Sequence, residues 1–226
     1  MNSPKISKRL LAAAGFIKGG EFIADVGTDH AYLPIYLYTK GKIRGAVVSD
    51  INEGPIERAK RNILEFSAED GVIPVLSDGL SKIDEYSPDT VFILGMGGEL
   101  ILNIISSAEW VKEKRPRLIL QPMTHPELLR EFLFSNGFEI TEEMIIEDGK
   151  IYQMLEAVYT EKNTEASLLE LHFGKINLLR REPLLLDALR RESAILNARI
   201  EGKKSAGLSA GDDGELLKLI NEYENI

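Results

Sequence analysis

Residues 22–33 read Phe-Ile-Ala-Asp-Val-Gly-Thr-Asp-His-Ala-Tyr-Leu, and this stretch decides the fold class. A short apolar run leads into a glycine turn, and the residues after the turn are typical of a helix start. Open α/β sheets bind their ligands where a strand ends and a helix begins. Asp25 precedes the turn, and Asp29 and His30 follow it. Because the turn holds the single Gly27 and not the three glycines of G-x-G-x-x-G, it is not a dinucleotide fingerprint.

The composition predicts an ordered chain with a full hydrophobic core. The 226 residues are 44% hydrophobic, which excludes a disordered chain. The absence of cysteine excludes a disulfide framework, a thiolate metal site and a cysteine nucleophile. The first residues are polar, and no apolar stretch is long enough to span a bilayer. We therefore expect a soluble, cytoplasmic protein that uses no metal and contacts no membrane.

The charge is unevenly distributed along the chain. A net charge of −9 argues against a general nucleic-acid binder, which should carry a basic field. Residues 161–226, however, hold 10 basic and 12 acidic side chains, and the arginines among them are clustered. The nearly balanced tail therefore differs in character from the acidic first part of the chain.

The first part of the chain alternates between strand and helix patterns. Strands are predicted at residues 22–27, 46–49, 72–76, 90–94 and 118–120, and helices at 7–17, 34–38, 56–66, after 98 and at 125–135. The third strand contains Pro74. Since proline cannot donate to a sheet ladder, this strand is expected at an edge.

Two further strand patterns, at residues 138–147 and 150–159, are joined by Asp148-Gly149, which is a strong hairpin signal. Dinucleotide-binding sheets are normally all parallel, whereas the methyltransferase version of the doubly wound fold closes with an antiparallel hairpin. That version also places its third strand at the opposite edge, where Pro74 is tolerated. The sequence therefore predicts an α/β fold with a Rossmann-like, doubly wound, seven-stranded sheet.

The remaining residues predict a small helical domain. One helix is expected over residues 168–179, a second from Pro183 to Ile200, a loop over 202–214 and a last helix over 215–223. We accordingly divide the chain into residues 1–160, the sheet domain, and residues 161–226, a coiled-coil-like helical domain.

Carboxylates stand at the ends of successive predicted strands, which share one edge of a parallel sheet. Asp50 follows Gly27 by 23 positions, close to the roughly 20-residue spacing at which an acid meets a ribose. Asp78 ends the third strand, where a carboxylate can accept from an adenine amino group, and Ile51 and Leu80 are expected to flank that base. Together these features indicate S-adenosylmethionine. The alternative is that each aspartate is a helix cap or a turn residue.

Several motifs resemble those of the bacterial tRNA (adenine-N1)-methyltransferases that modify adenine 22 of the D-arm. The resemblance is carried by residues 24–34, by Asp50 with Gly54-Pro55, by Ser77-Asp78-Gly79-Leu80, by Gly95-Met96-Gly97-Gly98 and by Leu120-Gln121-Pro122. It runs from Ser7 to about Tyr159 and continues as a helical C-terminal domain. It implies S-adenosylmethionine as methyl donor and tRNA as substrate.

The resemblance and the strand-end pattern together give the candidate site residues. Expected to bind the cofactor are Asp25, Gly27, Thr28, Asp29, His30, Leu33, Asp50, Ile51, Asn52, Asp78, Gly79, Leu80, Gly95 and Met96. Expected at the reaction centre are Asp29, His30, Tyr32, Gly95 and Met96.

Individual roles at this centre follow from residue chemistry. The wider methyltransferase pattern has glycines where Asp29 and Ala31 stand, so we expect Asp29 near the ammonium group of the cofactor. His30 is either a neutral, hydrogen-bonded residue that orients the turn or a general base. Tyr32 is a candidate stacking partner for the target base, and Met96 takes the place of the usual polar clamp.

Basic clusters are the candidate tRNA contacts. They comprise Lys5, Lys8, Arg9, Arg180, Arg181, Arg190, Arg191, Lys203 and Lys204. Arg180 and Arg191 are expected to share one face of a tail helix, about three turns apart. The alternative is an ordinary solvated helix face. Two other functions stay open: a methyltransferase of another RNA, a protein or a small molecule, and a non-catalytic cofactor-binding module with an interaction tail. A monomer is expected.

Overall fold

The computed structural model describes residues 2–225 and contains a seven-stranded sheet. Its strands are β1 Glu21–Val26, β2 Ile43–Asp50, β3 Val72–Leu76, β4 Thr90–Met96, β5 Arg117–Pro122, β6 Phe138–Asp148 and β7 Lys150–Tyr159. The strand order is β3-β2-β1-β4-β5-β7-β6. Strands β1 to β5 are parallel, and β7 is antiparallel to both β5 and β6. The doubly wound sheet with a closing hairpin is therefore confirmed.

Helices cover both faces of the sheet. The helices are α1 Lys8–Ala14, α2 Tyr32–Thr39, α3 Glu53–Glu65, α4 Gly98–Ser106, α5 Trp110–Lys114, α6 Pro126–Ser135, α7 Leu168–Phe173, α8 Lys175–Arg180, α9 Pro183–Ser205 and α10 Gly211–Glu224. One hydrophobic core lies between the sheet and α4 to α6, and a second lies between the sheet and α1 to α3. The long runs of buried residues in β2 and β4 follow from this coverage, because both faces of each strand are packed.

The predicted position of the third strand is confirmed. Pro74 lies in β3, which is the edge strand next to β2, and pairs in register with Val48. At the opposite end of the sheet, Gly149 turns the β6–β7 hairpin with a φ of +73°. Helix α5 was not predicted; it is short and ends at Arg115, which has a φ of +52°.

The helical tail differs from the prediction at two places. The single helix expected over residues 168–179 is broken by Gly174, whose φ is +86°. A β-carbon there would lie 2.1 Å from Glu143 Oε1, so the break lets the tail approach β6 closely. The prediction of a loop over residues 202–214 is also wrong, because α9 continues to Ser205 and α10 already begins at Gly211. Lys203 of α9 pairs with Asp213 of α10 at 2.6 Å, and this contact holds the two helix ends together.

A buried ion pair connects the tail to the sheet. Arg130 Nε donates to Glu143 Oε1 at 2.9 Å, and both side chains are almost wholly buried. Arg130 also donates to the backbone carbonyl of Leu171 at 2.9 Å and to Gln153 Oε1 at 2.7 Å. The guanidinium therefore links α6, both strands of the hairpin and α7. The domain boundary at residue 160 stays a prediction.

No helix among residues 2–225 is both long enough and apolar enough to cross a membrane.

Candidate active site

A cavity of about 320 Å³ lies at the carboxyl ends of β1 and β4. These strands are neighbours at the point where the sheet order reverses, which is where open α/β sheets bind ligands. The cavity is lined by Arg9, Leu10, Asp25, Gly27, Thr28, Asp29, His30, Ala31, Tyr32, Leu33, Leu94 and Gly95. The structure thus brings together the predicted residues of the first strand end and Gly95 of the fourth.

The turn after β1 is fixed by backbone hydrogen bonds. The N–H groups of Gly27 and Thr28 both donate to the carbonyl of Ser49 in β2, at 2.7 and 2.9 Å. The Thr28 hydroxyl then accepts from the N–H of Ala31 at 3.0 Å. Gly27 has a φ of +77°, and the methyl carbon of Met96 lies directly over it. The sequence needs glycine here both for the backbone conformation and for the approach of Met96.

Asp25 presents a carboxyl group to the cavity from the end of β1. Burial raises the pKa of Asp25 to about 6, while the Thr28 hydroxyl and the Arg9 guanidinium act in the opposite direction. A half-buried carboxylate with a raised pKa in a cleft is typical of a ligand-binding group.

Asp29, His30 and Tyr32 form the rim of the cavity. The Asp29 carboxylate pairs with the guanidinium of Arg58 in α3 and lies 3.1 Å from His30 Nε2. The His30 and Tyr32 rings are stacked, with centroids 5.0 Å apart and an angle of 8° between planes. The His30 carbonyl accepts from Asn62 Nδ2 at 2.9 Å. These contacts favour the interpretation in which His30 orients the turn.

The ends of β2 and β3 carry the other predicted cofactor residues. Asp50 Oδ1 accepts from the backbone N–H of Asn52 at 2.8 Å, which is a turn contact of the kind that the alternative interpretation expects. Ile51 is 60% exposed, so its side chain is available to a flat apolar ligand. Asp78 is exposed as well, and Gly79 has a φ of +50°.

The side chain of Leu80 does not flank this surface, and that expectation is wrong. It is 1% exposed and belongs to the core between the sheet and α4. The turn at Gly79 directs it inward, where burial of a leucine side chain gains about 2 kcal/mol relative to exposure. Only the backbone of Leu80 remains as a candidate contact.

Arg9 lies in the cavity and not on the outer surface where a tRNA contact was expected. Its Nη1 donates to Gln121 Oε1 at 2.7 Å, and its guanidinium lies 5.8 Å from the centroid of the Tyr152 ring. Sequence reasoning did not assign a role to Gln121 or Tyr152. A signal existed for Gln121, because it is a polar residue at the end of a buried strand within the Leu120-Gln121-Pro122 motif.

The predicted basic surface of the tail is largely neutralised. Arg180 ends α8 and Arg191 lies within α9, so the expectation that they share a helix face is wrong. The helix stops because Arg181 adopts a φ of +51°. The arginines and one lysine contact acidic or aromatic partners: Arg180 with Glu142, Arg181 with Tyr223, Arg190 with Asp187, Arg191 with Glu147 and Lys203 with Asp213. Within residues 2–225, Lys5, Lys8 and Lys204 form no ion pair.

A second cavity, of about 380 Å³, lies between β6, residues 160–166 and the α7–α8 region. It includes Glu143 and Lys175 but none of the residues that the sequence assigns to the site. It is also away from the strand carboxyl ends, so we regard the cavity at β1 and β4 as the candidate active site.

Comparison with known proteins identifies the family. Residues 6–155 match the family described as "Methyltransferase domain". The chain is 36% identical over 177 residues to the tRNA (adenine(22)-N(1))-methyltransferase of Bacillus subtilis, covering 78% of this chain and 74% of that protein. The chain belongs to the tRNA (adenine(22)-N(1))-methyltransferase family.

Solved structures of family members extend the similarity over nearly the whole chain. A putative tRNA (m1A22) methyltransferase of Streptococcus pneumoniae is 30% identical, with a TM-score of 0.88 and coverage of 97% of this chain and 99% of that one. The same protein has been solved in complex with S-adenosyl-L-methionine. The M. capricolum family member, solved with S-adenosyl-homocysteine, is 28% identical with a TM-score of 0.81 and covers 97% of this chain and 96% of that one. The family relationship therefore includes the helical tail.

Proposed function

We propose that this protein transfers a methyl group from S-adenosylmethionine to N1 of adenine 22 in the D-arm of tRNA. The observation that carries the proposal is the cavity at the ends of β1 and β4, in a chain that belongs to this enzyme family. A relative that is 30% identical was solved with the same methyl donor. We further propose that the protein acts as a monomer in the cytoplasm.

The residues around the cavity fit the methyl donor. Asp25 offers a carboxylate for its ammonium group, and Gly27 leaves backbone atoms open to close approach. Asp50 and Asp78, at the ends of β2 and β3, are the proposed acceptors for the ribose hydroxyls and the adenine amino group. The remaining contacts are proposed for Thr28, Asp29, His30, Leu33, Ile51, Asn52, Gly95 and Met96, and for the backbone of Gly79 and Leu80.

Asp25 is favoured over Asp29 as the partner of the ammonium group. Asp25 lies at the strand end inside the cavity, where burial raises the pKa of its carboxyl group. Asp29 is 61% exposed and already pairs with Arg58. In the proposal, Asp29 therefore shapes the cavity mouth and keeps His30 in place.

The reaction does not depend on acid or base catalysis by the protein. When bound, S-adenosylmethionine supplies an electrophilic methyl group on a sulfonium. Adenine N1 has a lone pair at neutral pH, so no base has to remove a proton first. Most of the acceleration should come from holding N1 in line with the methyl group. As the bond from N1 to the methyl carbon forms, the bond from sulfur to that carbon breaks, S-adenosylhomocysteine leaves as a neutral thioether, and the positive charge passes to the base.

The target base has to leave the RNA stack, because N1 is paired within a tRNA stem. The paired rings of His30 and Tyr32 at the cavity rim offer a flat surface for it. Gly95 has no side chain, and Met96 lies beside it, so the carbonyl of Gly95 and the thioether of Met96 are the proposed neighbours of the base. We propose Lys5, Lys8 and Lys204 as the phosphate contacts. The arginines of the tail are less suited to this role, because their side chains already contact acidic or aromatic partners.

The experiment is methyl transfer from labelled S-adenosylmethionine to unmodified tRNA transcripts, followed by nucleoside analysis. Transcripts with adenine and with guanine at position 22 form a matched pair. Label in 1-methyladenosine from the first transcript alone supports the proposal. Label in another nucleoside or position would reassign the target, and cofactor binding without any transfer to RNA would favour the non-catalytic module.

A further inference from the structure

The connection between β5 and α6 lies directly against the end of β4. The backbone N–H of Met123 donates to the carbonyl of Met96 at 2.7 Å, and the N–H of Gly98 donates to the carbonyl of Thr124 at 2.8 Å. A β-carbon on Gly98 would lie 2.3 Å from the carbonyl oxygen of His125, so this close contact requires glycine. The β5–α6 connection therefore borders the segment that the proposed function places beside the target base.

His125 has a backbone conformation that helix capping does not explain. It precedes α6 with a φ of +53° and a ψ of +50°, in the left-handed region that non-glycine residues seldom adopt. Its side chain makes no capping hydrogen bond to the first turn of α6. Conformations of this kind cluster at binding and catalytic sites, where the surrounding structure maintains them. The conformation indicates a role for the His125 side chain outside the helix.

The imidazole of His125 is oriented by one carboxylate. His125 Nδ1 lies 3.0 Å from Glu127 Oε1. Because an ionised carboxylate can only accept, Nδ1 carries the proton, and the neutral ring then has a free lone pair on Nε2. Within residues 2–225, Nε2 of His125 has no hydrogen-bond partner, and the side chain is 55% exposed. An oriented hydrogen-bond acceptor is thus available to a ligand.

Two exposed apolar side chains belong to the same border. Met123 is 45% exposed, and Leu100, in the first turn of α4, is 51% exposed. Gly97 and Gly98, which have no side chains, precede Leu100 in the chain. Exposed apolar groups at the edge of a site indicate a binding surface, and apolar side chains of this kind pack against the face of an extruded base. The border therefore combines an apolar surface with one acceptor.

We propose that His125 Nε2 accepts a hydrogen bond from the amino group of the target adenine, with Met123 and Leu100 beside the ring. This assignment rests on the proposed function for the identity of the base. Adenine has a donor at N6 next to the lone pair of N1, whereas guanine has an acceptor at O6 and a hydrogen on N1. An acceptor on the protein at this position therefore selects adenine. Glu127 is then a positioning residue, since it acts only through His125.

The same hydrogen bond assists methyl transfer. The amino group becomes a stronger donor as positive charge passes to the base, because its nitrogen is conjugated with N1. The hydrogen bond to Nε2 is therefore stronger in the transition state than in the bound substrate, which is the condition for an interaction to accelerate the reaction.

The alternative partner for His125 is an RNA phosphate, which would require the imidazolium form. The Glu127 carboxylate contacts the ring, and Glu99 follows Gly98 in the first turn of α4. Both carboxylates repel a phosphate at this border. A neutral donor such as an amino group is therefore the better partner.

The test compares two tRNAs assembled from synthetic RNA, one with adenine and one with purine at position 22, since purine lacks only the amino group. Binding is measured with S-adenosylhomocysteine present, and methyl transfer is measured separately under single turnover. His125→Asn tolerates the left-handed backbone but its side chain ends short of Nε2. It should weaken binding of the adenine tRNA about fivefold to tenfold and change binding of the purine tRNA by less than about twofold.

Two further variants sharpen the comparison. His125→Gln places an amide oxygen at about the reach of Nε2 and should restore part of the preference for adenine. Glu131→Gln changes an exposed residue of α6 and is the matched control, with the preference of the wild type. Because the ratio of the two RNAs is compared between variants, the lower basicity of purine N1 cancels. Affinity for S-adenosylmethionine without RNA should be unchanged in all three.

An equal loss for both RNAs would make His125 a structural residue or a phosphate contact, and no loss for either would also overturn the assignment. Should His125→Asn lose cofactor binding and hence its fold, Glu127→Ala releases the imidazole and should reduce the same preference; a retained preference would then overturn the proposal. A wild type that prefers adenine in binding but transfers no methyl group to position 22 contradicts the proposed function alone. A wild type that methylates position 22 while His125→Asn keeps the full preference contradicts this assignment alone.

Discussion

Gly27 and Met96 meet so closely that a β-carbon on Gly27 would lie 1.9 Å from the methyl carbon of Met96. Gly27→Ala should therefore displace the methyl group of Met96 from its position over the turn after β1, and the φ of +77° at Gly27 adds strain of about 1–2 kcal/mol. We expect a large loss of S-adenosylmethionine affinity, measured by calorimetry, together with a lower melting temperature.

Gly41→Ala separates the two effects of that substitution. Gly41 has a φ of +65°, but a β-carbon there would have no neighbour within 4 Å, so only the strain is expected. The double variant Gly27→Ala with Met96→Ala restores the space and should recover part of the affinity. If Gly27→Ala behaves like Gly41→Ala, the contact with Met96 has no role in forming the site.

The second prediction concerns the pH dependence of cofactor binding. The carboxyl group of Asp25 has a pKa of about 6 in the ligand-free fold, raised by burial, so it is ionised above that pH and protonated below it. A bound ammonium group favours the ionised form. Affinity for S-adenosylmethionine should therefore be constant above about pH 7 and fall by up to about tenfold per unit as pH drops below 6.

Calorimetry in buffers with different ionisation enthalpies checks this, because binding below pH 6 should release a proton. Asp25→Asn should bind more weakly at pH 7.5 and show no such pH dependence. The same raised pKa destabilises the ligand-free fold above about pH 6, and this effect is relieved as pH falls toward the ordinary value of 3.8. A wild-type affinity that does not change between pH 5 and pH 8 would show that Asp25 does not meet the ammonium group.

Local signals account for most of what the sequence predicted correctly. Pro74 placed β3 at the edge because a missing N–H is a property of one residue, and the Asp148-Gly149 pair marked the hairpin for a similar reason. The apolar runs and their glycine turns located the strand ends that surround the cavity. Each of these features is decided by residues within a few positions of one another.

The errors arise where distant residues decide the outcome. Gly174 breaks a helix pattern because Glu143, 31 positions earlier, occupies the space beside it. The Arg9 side chain faces the cavity, where Gln121 accepts from its guanidinium, and Asp148 accepts from the backbone N–H of Arg9. Contacts between residues so far apart produce no periodic pattern in the sequence. An arginine on the surface therefore cannot be told from an arginine in the cavity by its neighbours in sequence. The burial of Leu80 was missed for the same reason, since its contacts in the core are with residues distant in sequence.

The third prediction tests the connection between the tail and the sheet. Arg130→Met leaves the Glu143 carboxylate buried without its partner, and this should lower the free energy of unfolding by about 3–5 kcal/mol. Urea denaturation measures it. Arg180→Met is the matched control: its pair with Glu142 is partly exposed, so the expected loss is about 1 kcal/mol or less.

The double variant Arg130→Met with Glu143→Leu removes both charges of the buried pair. It should be more stable than Arg130→Met alone, because no unpaired carboxylate remains. If Arg130→Met costs no more than Arg180→Met, the pair does not hold the tail against the sheet.

The last prediction concerns the tRNA surface. Lys5 and Lys8 are exposed and form no ion pair within residues 2–225, whereas Arg180 and Arg191 are paired with Glu142 and Glu147. Replacing Lys5 and Lys8 by glutamine should weaken tRNA binding, and the slope of log K against log salt should fall by about 0.7–0.9 for each phosphate that the protein no longer neutralises. Replacing Arg180 and Arg191 by glutamine should change that slope little, and S-adenosylmethionine affinity should be unchanged in both double variants. Filter binding over a salt series measures the slopes. A larger change for the arginine pair than for the lysine pair would place the tRNA on the tail helices and not on the N-terminal segment.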